Sequence, residues 1–490
     1  MGEVGFTSAK TASVLARKDF LSGKVHLFAY FAVYKCILSV CYEFALVPLY
    51  GYRGYFVEWD AFGVLASWML LACLMAFFPY DKSRPSFYLY LVSVLLFYLP
   101  INAYGPMTSH DMTYCASVTA CLALIGGIVM LKPGQLSIRT SNSRLIFNAL
   151  LALSIFVTAY VLVKTGGLRI SLFDLLDSDA VYDVRSESLG LSGFESYVFA
   201  WVGRAILPFL IVYYFAEKCY FRAISVVFLT VVQFMITSLK AYVFFLGFML
   251  IALIALRSKV GFAKVFIGAF CGMQLLSVAL YAVFGVNLVG FTLDRLVFEG
   301  AKNQYWYYDF FQSNDYLMWS NGFIGKLFGL SYEYSAPIEQ IVSARMSGVG
   351  YGANSNMFAD AYAQFGLWGM LLYSVVYAAI LLLMDATSTR LPLYISVAAF
   401  MPMAAILLDN SLLTTILTCG LFWIPLMLAV WNGKFVLQDS ARKSRASTSG
   451  KRDVRLPKGA RLKSGGGHKH GAADLHPNPY RFKDSGSARS

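Results

Sequence analysis

A polar segment punctuated by glycine runs directly into an apolar stretch between Gly350 and Gly369. Asn354, Ser355 and Asn356 offer hydrogen-bonding groups, and Asp360 adds a carboxylate within the following helical pattern. A carboxylate can act as a general base when burial and neighbouring groups adjust its pKa to the reaction. We therefore predict a binding site at the mouth of a membrane helix. Helix capping or an ion pair is the alternative role for Asp360.

Three cations lie inside or beside apolar stretches, where charged groups are costly and commonly functional. Arg204 is predicted to lie roughly 12 Å below the outer end of its span, and Lys240 and Arg295 lie just outside other spans. Convergent cations suit a diphosphate, because Arg can hold phosphate oxygens in a bidentate manner. The alternatives are a buried acidic partner for Arg204, snorkelling for Lys240, and a pair with Asp294 or Glu299 for Arg295.

Histidines and cysteines narrow the choice of chemistry. Three of the five histidines lie near the carboxyl terminus, and only His110 lies in a segment predicted to face outward. His110, Glu299 and Asp360 are therefore the candidate bases. All eight cysteines fall in or beside apolar runs, so neither a metal site nor a disulfide framework is predicted. The chain has no Walker or dinucleotide motif, which argues against nucleotide use.

Aromatic residues cluster between Tyr305 and Phe311 in the second half of the chain. We predict that this segment is amphipathic and lies along the membrane interface. Its rings offer flat apolar faces for a ligand, although interfacial anchoring predicts the same aromatics. The further candidate binding residues of the outward-facing loops are Arg185, Trp306, Tyr307 and Arg345.

Composition predicts an all-α polytopic membrane protein. The chain has 490 residues, is 58% hydrophobic and only 14% charged, and has a mean hydropathy of +0.61. A hydrocarbon core of about 30 Å requires about 20 helical residues, which predicts about twelve spans. They lie near residues 25–48, 62–80, 87–104, 112–131, 145–163, 196–216, 222–239, 241–256, 261–284, 362–384, 392–411 and 412–432.

The distribution of charge predicts the orientation. Basic residues concentrate in one set of short loops, so both termini are predicted to be cytoplasmic. The long loops near 164–195 and 285–361 then face outward from a transmembrane body at 25–432, which follows a cytoplasmic segment at 1–24. The tail at 433–490 has 14 Lys and Arg against 4 Asp and Glu and is predicted to be disordered. Most of the net charge of +13 therefore belongs to the tail, and no nucleic acid partner is expected.

The pattern of spans and motifs resembles bacterial polymerases of oligosaccharide repeat units, the O-antigen polymerase or Wzy type. The resemblance rests on about twelve spans, a long outer loop, and the segments Gly352–Asn356, Asp360–Tyr362 and Gly366–Gly369. It implies a GT-C glycosyltransferase of the bacterial inner membrane that works on the periplasmic face without a cofactor. Such enzymes move a glycan from undecaprenyl diphosphate, a membrane lipid, to the non-reducing end of another lipid-linked repeat. The implied diphosphate ligands are Arg204 and Arg295, and a chain-length regulator protein is an implied partner. The glycan contacts that the resemblance leads us to expect are Asn354, Ser355, Asn356, Arg185, Arg345, Trp306 and Tyr307.

Two other functions fit the same topology. O-antigen ligases carry a His-Asn pair ahead of a Gly-Leu-x-Gly segment, and this pair falls on Ser355 and Asn356 here. The serine favours a polymerase over a ligase. A flippase for lipid-linked sugars is the other alternative, for which Arg204 would lie in the translocation site. The placement of both long loops on one side and the absence of a sequence repeat favour the polymerase.

Overall fold

Helices form all of the regular secondary structure in the described part of the chain, which agrees with the predicted all-α class. The computed structural model describes residues 3–140, 142–171 and 189–435, with side chains from Leu21 onward. Arg185 and most of the predicted tail lie outside these ranges. The α-helices are α1 (Glu3–Cys41), α2 (Val47–Tyr50), α3 (Ala61–Phe77), α4 (Pro85–Ser93), α5 (Leu99–Met107), α6 (Thr113–Val129), α7 (Ser143–Lys164), α8 (Gly193–Trp201), α9 (Leu207–Ala216), α10 (Tyr220–Thr237), α11 (Ala241–Arg257), α12 (Phe262–Phe284), α13 (Glu299–Phe311), α14 (Phe323–Phe328), α15 (Ile338–Ser347), α16 (Met357–Thr387), α17 (Leu393–Ile406), α18 (Leu412–Leu417) and α19 (423–435).

Seven helical stretches are long and apolar enough to cross a membrane, judged by length and composition. Four shorter apolar helices, α3, α6, α11 and α17, have 10–17 residues. All of these helices overlap predicted spans, in agreement with a polytopic membrane protein, while the count of twelve and the orientation stay predictions. The seven stretches are Leu21–Arg53, Pro85–Met107, Ser143–Lys164, Gly193–Ala216, Tyr220–Thr237, Phe262–Phe284 and Met357–Thr387.

The last predicted span is not one continuous helix. Residues 412–432 contain α18 and most of α19, with a turn between the two helices. Gly420 lies in this turn with a φ of 82°. Because glycine has no Cβ, it adopts this left-handed conformation readily and interrupts the helix.

Three of the candidate spans contain a wider, π-helical turn just before a proline. The π-helical segments Tyr42–Leu46, Val94–Tyr98 and Val202–Ile206 each end two residues before a proline, and the prolines are Pro48, Pro100 and Pro208. A proline ring cannot donate to the carbonyl four residues earlier and clashes with it, so the helix opens into a wider turn. Arg204 occupies the position four residues before Pro208 and therefore lies within such a turn.

The stretch Pro85–Met107 is entirely buried and forms the centre of the bundle. Its polar groups bond to neighbouring helices. Asn102 Nδ2 donates to the carbonyl of Ser67 in α3 at 2.9 Å, and the hydroxyls of Ser93 and Tyr377 in α16 lie 2.7 Å apart. These bonds satisfy polar groups that water cannot reach and link the central helix to two neighbours.

The aromatic segment predicted to lie along the interface is instead buried, so that prediction was wrong. α13 packs against α5, α15 and α16, and Tyr305 has no exposed surface. Its polar residues find partners within the protein: Lys302 Nζ donates to the Arg53 carbonyl at 2.8 Å, and Asn303 Nδ2 donates to the Asn354 carbonyl at 2.9 Å. The polar residues in the first half of α13 therefore bond to other segments of the protein, and the aromatic residues in its second half are buried.

Candidate functional site

A cavity of about 600 Å³ opens among α8, α13, α14, α15, α16 and α18. A volume of this size is typical of ligand sites. It brings together four of the residues predicted from the sequence: Tyr307, Asn354, Ser355 and Asp360. Its aromatic wall consists of Phe194, Tyr197, Trp201, Tyr307, Trp319, Phe323, Tyr373 and Phe422.

The polar groups of the cavity are acids, amides and hydroxyls. The carboxylates of Glu339, Asp360 and Asp409 line it, and no Lys, Arg or His is among the described lining residues. Carboxylates accept hydrogen bonds from hydroxyl groups, and amides both accept from them and donate to them. Aromatic faces cover apolar ring surfaces. The arrangement suits a neutral ligand rich in hydroxyl groups. The amides are contributed by Asn321, Asn354, Gln364 and Asn410.

Asp360 is the most deeply placed acid of this cavity, with 8% of its surface exposed. Gln364 Nε2 donates to its Oδ1 at 3.1 Å. Its Oδ2 is buried and accepts no hydrogen bond of ordinary distance and angle from the described residues, although the Tyr373 hydroxyl lies near the carboxylate. Leaving a buried acceptor unsatisfied costs about 1–3 kcal/mol, so a donor supplied by a ligand would be favoured at this oxygen.

A break in α16 lies one turn beyond Asp360. Phe365 and Gly366 leave helical geometry, with φ and ψ of −149° and 25° and of 60° and −142° respectively. The break frees backbone carbonyls, which accept from the preceding loop: Leu317 N donates to Ala363 O at 2.9 Å, and Met318 N donates to Gln364 O at 3.2 Å. Irregular backbone inside a membrane span is tolerated where such partners exist.

The same loop is fixed to the cavity by the Gln364 side chain. Trp319 N donates to Gln364 Oε1 at 2.7 Å, and Gln364 Nε2 donates to Asn321 Oδ1 at 3.1 Å. Trp319 Nε1 also donates to the Tyr373 hydroxyl at 3.2 Å. Gln364 therefore links Asp360 to the loop that supplies part of the aromatic wall.

The predicted sugar contacts at the start of α16 differ in position. Asn354 is exposed and Ser355 is half-buried, and both line the cavity. Asn356 is buried instead, and its Oδ1 accepts from Phe358 N at 3.0 Å and from Ala359 N at 3.1 Å. Asn356 therefore caps the helix, which satisfies two of its first amide groups.

The three predicted diphosphate ligands are not brought together by any contact between them in the described residues. Arg204 Nη1 donates to Cys419 Sγ at 3.0 Å, whereas Arg295 Nε lies 3.2 Å from Glu299 Oε2. The latter pair is the alternative that the sequence left open for Arg295. Lys240 Nζ lies 4.4 Å from the centre of the Phe291 ring, a cation–π distance.

Arg204 is nevertheless close to the cavity wall. Trp201, which precedes it by one helical turn, lines the cavity, as does Thr418, the neighbour of Cys419. No carboxylate pairs with Arg204 among the described residues, but most acids of the first long loop, the partners considered from the sequence, lie outside the described residues. Arg204 is partly buried, is not among the lining residues, and contacts Cys419 and Tyr242.

A second polar cluster surrounds Asp294, which is 1% exposed. Arg53 Nη1 lies 2.6 Å from Asp294 Oδ2, and the Tyr55 hydroxyl donates to Asp294 Oδ1 at 2.6 Å. Lys302 Nζ lies 4.4 Å from the centre of the Tyr55 ring and 4.6 Å from that of Trp306. Trp306 therefore supports this cluster and does not line the cavity.

We expect Arg53→Met to lower the free energy of unfolding by about 1–3 kcal/mol, because it leaves the buried Asp294 carboxylate without its cation. The measurement is thermal unfolding of the purified protein in detergent. Lys164→Met provides the control, since its pair with Glu195 faces solvent and is expected to contribute little. An equal change in both variants would contradict a structural role for the Asp294 cluster.

His110 lies outside the cavity, beside the half-buried Asp309 of α13. Its Nε2 is 3.7 Å from Asp309 Oδ2, and its Nδ1 is 2.7 Å from Thr108 Oγ1. Burial and the nearby Asp111 raise the pKa of Asp309 to about 6, whereas burial lowers the pKa of His110 to about 4. Both groups favour their neutral forms, which suits a structural contact better than catalysis in the cavity.

These two shifts predict opposite effects of pH on stability. Asp309 holds its proton more tightly in the folded chain than in the unfolded chain. The stabilisation of the folded state by this proton is therefore present below about pH 4 and is lost as the pH rises through about 6. His110 acts in reverse, and its contribution is lost as the pH falls through about 4. We therefore expect Asp309→Asn to raise the unfolding temperature relative to the native chain above about pH 6 and to change it little near pH 4. Identical pH profiles in thermal unfolding would contradict this assignment.

Two further predicted residues lie outside the cavity, and the cavity contains a carboxylate that was not predicted as part of a site. Arg345 is exposed on α15 and is not part of the cavity lining. Glu299 is paired with Arg295 and lies in the cluster around Asp294. Asp409 was missed as a site residue, although a carboxylate inside the predicted span 392–411 is a signal of the same kind as Arg204.

No protein-family model, curated protein or solved structure matches this chain.

Proposed function

We propose that the protein is a polymerase of lipid-linked oligosaccharide repeat units for a bacterial surface polysaccharide: an O-antigen, a capsule or an exopolysaccharide. The observation that carries the proposal is Asp360, a buried carboxylate beside Gln364 and Tyr373 whose Oδ2 accepts no well-formed hydrogen bond, in a cavity lined by aromatic rings, amides and hydroxyls. The resemblance of Gly352–Gly369 to repeat-unit polymerases supports undecaprenyl diphosphate as the carrier of the glycan.

In the proposed reaction, Asp360 accepts the proton of an acceptor hydroxyl while that oxygen bonds to the anomeric carbon of the donor glycan. The bond between the anomeric carbon and the diphosphate oxygen breaks, and undecaprenyl diphosphate leaves with the bonding electrons. Asn354 and Ser355 hydrogen-bond to sugar hydroxyls at the mouth of the cavity. Arg204 lies one helical turn from the lining residue Trp201, and the diphosphate is proposed to leave along this edge of the cavity, where Arg204 stabilises its charge.

The proposed topology follows the same hypothesis. About twelve helices span the inner membrane, both termini are cytoplasmic, and the cavity faces the periplasm. The lipid-linked substrate enters laterally between helices, with its diphosphate just below the outer interface. A chain-length regulator protein is the proposed partner in the membrane.

The most direct test is extension of a defined undecaprenyl-diphosphate repeat unit by the purified protein in liposomes. We expect a ladder of products that differ by one repeat unit, and deletion of the gene is expected to leave surface polysaccharide of a single unit. Failure to extend native repeat units, by a protein that is folded and reconstituted, would overturn the proposal.

Arg204→Ala is expected to reduce extension about 10- to 100-fold, because the leaving diphosphate loses a bidentate cation. Arg204→Lys should recover part of this loss, since it keeps the charge but not the planar fork. The measurement is the distribution of chain lengths at matched protein levels. Arg222→Ala is the control, because Arg222 donates to Asn148 Oδ1 away from the cavity. Normal chain lengths in Arg204→Ala would remove the diphosphate role.

A transporter of lipid-linked sugars is the second candidate, and one observation favours it. Discontinuous helices with polar groups at the break are common in transporter binding sites, and α16 breaks at Phe365 and Gly366 beside Asp360. The two functions differ in what accumulates when the protein is absent. Single repeats on the periplasmic face favour the polymerase, whereas undecaprenyl-linked repeats retained on the cytoplasmic face favour the transporter. The ligase remains disfavoured by Ser355.

A further inference from the structure

A second cavity lies between α1 and α3, away from the candidate active site. It has a volume of about 270 Å³ and is lined in part by Lys35, Ser39, Glu43, Trp59 and Ser67. The sequence pattern had assigned no role to Lys35, although it lies inside the first predicted span. A charge in such a position is costly and calls for a functional explanation.

Lys35 is 4% exposed, so its ammonium group cannot reach the membrane surface by snorkelling. Its Nζ donates to Ser67 Oγ at 2.5 Å and lies 4.4 Å from the centre of the Trp68 ring. An ammonium group has three N–H donors, and Ser67 is the one hydrogen-bond acceptor that Lys35 Nζ has among the described residues. No carboxylate pairs with Lys35 in that part of the chain, so the charge at the base of the cavity is not neutralised by the protein.

Glu43 places the opposite charge in the same cavity. It lies two helical turns beyond Lys35, which corresponds to roughly 12 Å along the helix axis. No ion pair within the described residues joins Glu43 to Lys35 or to another cation. The two charges therefore face one cavity without neutralising each other, and Ser39 lies between them on the same helix.

The cavity borders an apolar outer surface. Val40 and Trp59 line it and are 55% and 48% exposed. Leu65 and Met69 of α3 add apolar side chains that are 59% and 64% exposed. Helices of this composition face acyl chains in a membrane, so a lipid can place its head group in the cavity and its chains on this surface.

We propose that the cavity binds the head group of a zwitterionic phospholipid, with its phosphate at Lys35 and its amine at Glu43. The Lys35 ammonium donates charge-assisted hydrogen bonds to the phosphate oxygens. Glu43 accepts from the amine, and the Trp59 ring offers a cation–π face beside it. A lipid whose phosphate carries a neutral head group leaves Glu43 without a partner. A lipid whose head group carries an additional phosphate would be repelled by the Glu43 carboxylate. The site therefore selects an amine-bearing head group such as phosphoethanolamine.

Native mass spectrometry of the full-length protein tests this site, with equimolar phosphatidylethanolamine and phosphatidylglycerol added in detergent. The native chain is expected to retain phosphatidylethanolamine about tenfold better. Lys35→Met should reduce retention of both lipids, and Glu43→Gln should remove the preference while keeping retention. Lys82→Met is the control, since Lys82 lies in a loop and not in this cavity. Thermal unfolding without added lipid verifies that each variant is folded.

Three results would overturn the proposal. They are unchanged retention in folded Lys35→Met, equal retention of the two lipids by the native chain, and an unchanged preference in Glu43→Gln. Soluble phosphoethanolamine is added in a separate arm. Retention of this soluble compound as strong as that of the lipid would overturn the assignment to a membrane lipid.

Discussion

Asp360→Asn is expected to reduce extension of lipid-linked repeats about 10²- to 10⁴-fold, the range attributed to a general base. Asparagine is nearly isosteric with aspartate and can still accept at one oxygen from Gln364, which bonds to Asp360 Oδ1 in the native chain. The change therefore removes proton acceptance at Oδ2 and preserves most of the packing. Extension of a defined undecaprenyl-diphosphate repeat in liposomes measures the effect.

Controls separate catalysis from folding at this position. Asp315→Asn makes the same chemical change at an exposed residue outside the cavity lining, and it should extend repeats at the native rate. Asp360→Asn should also unfold within a few degrees of the native temperature, because the cavity is unchanged in shape. A folded Asp360→Asn protein with native activity would exclude Asp360 as the base and leave Glu339 and Asp409 as the remaining carboxylates of the cavity.

The general form of the protein follows from its sequence because membrane helices are set by local composition. A run of apolar residues must satisfy its own backbone hydrogen bonds, and a helix does so without distant partners. The helices therefore fall on the predicted spans, and Asn354, Ser355 and Asp360 do share a cavity. These three residues lie close together in the Gly350–Gly369 stretch, so their shared position at the start of a helix could be predicted from local sequence.

Contacts between segments that are distant in the sequence cannot be predicted from local composition. Asp294 meets Arg53, which is 241 positions away in the sequence, and Trp319 bonds to Gln364, which is 45 positions away and lies just before the break in α16. Arg204, Arg295 and Lys240 were grouped by charge alone, yet each has its own contacts in the described residues. The outward-facing aromatic segment was misjudged for the same reason, since the partners of α13 come from elsewhere in the chain.

Gly366→Val is expected to lower the free energy of unfolding by about 3 kcal/mol and to abolish extension. Gly366 has φ and ψ of 60° and −142°, a conformation that a β-branched residue avoids. A Cβ at this position would also lie 2.7 Å from the Tyr316 hydroxyl oxygen, closer than carbon and oxygen tolerate. Continuing the helix instead would occupy the carbonyls of Ala363 and Gln364, which hold the loop at Leu317 and Met318.

Loss of that loop would also displace Trp319 from the cavity wall, so activity should fall even in molecules that remain folded. Gly352→Val is the matched control, because it lies in the same stretch and no heavy atom lies within 4 Å of a Cβ built there. Thermal unfolding and repeat extension are measured on both variants. A Gly366→Val protein as stable and active as Gly352→Val would show that the break in α16 is not required, and the placement of Asp360 would then need another explanation.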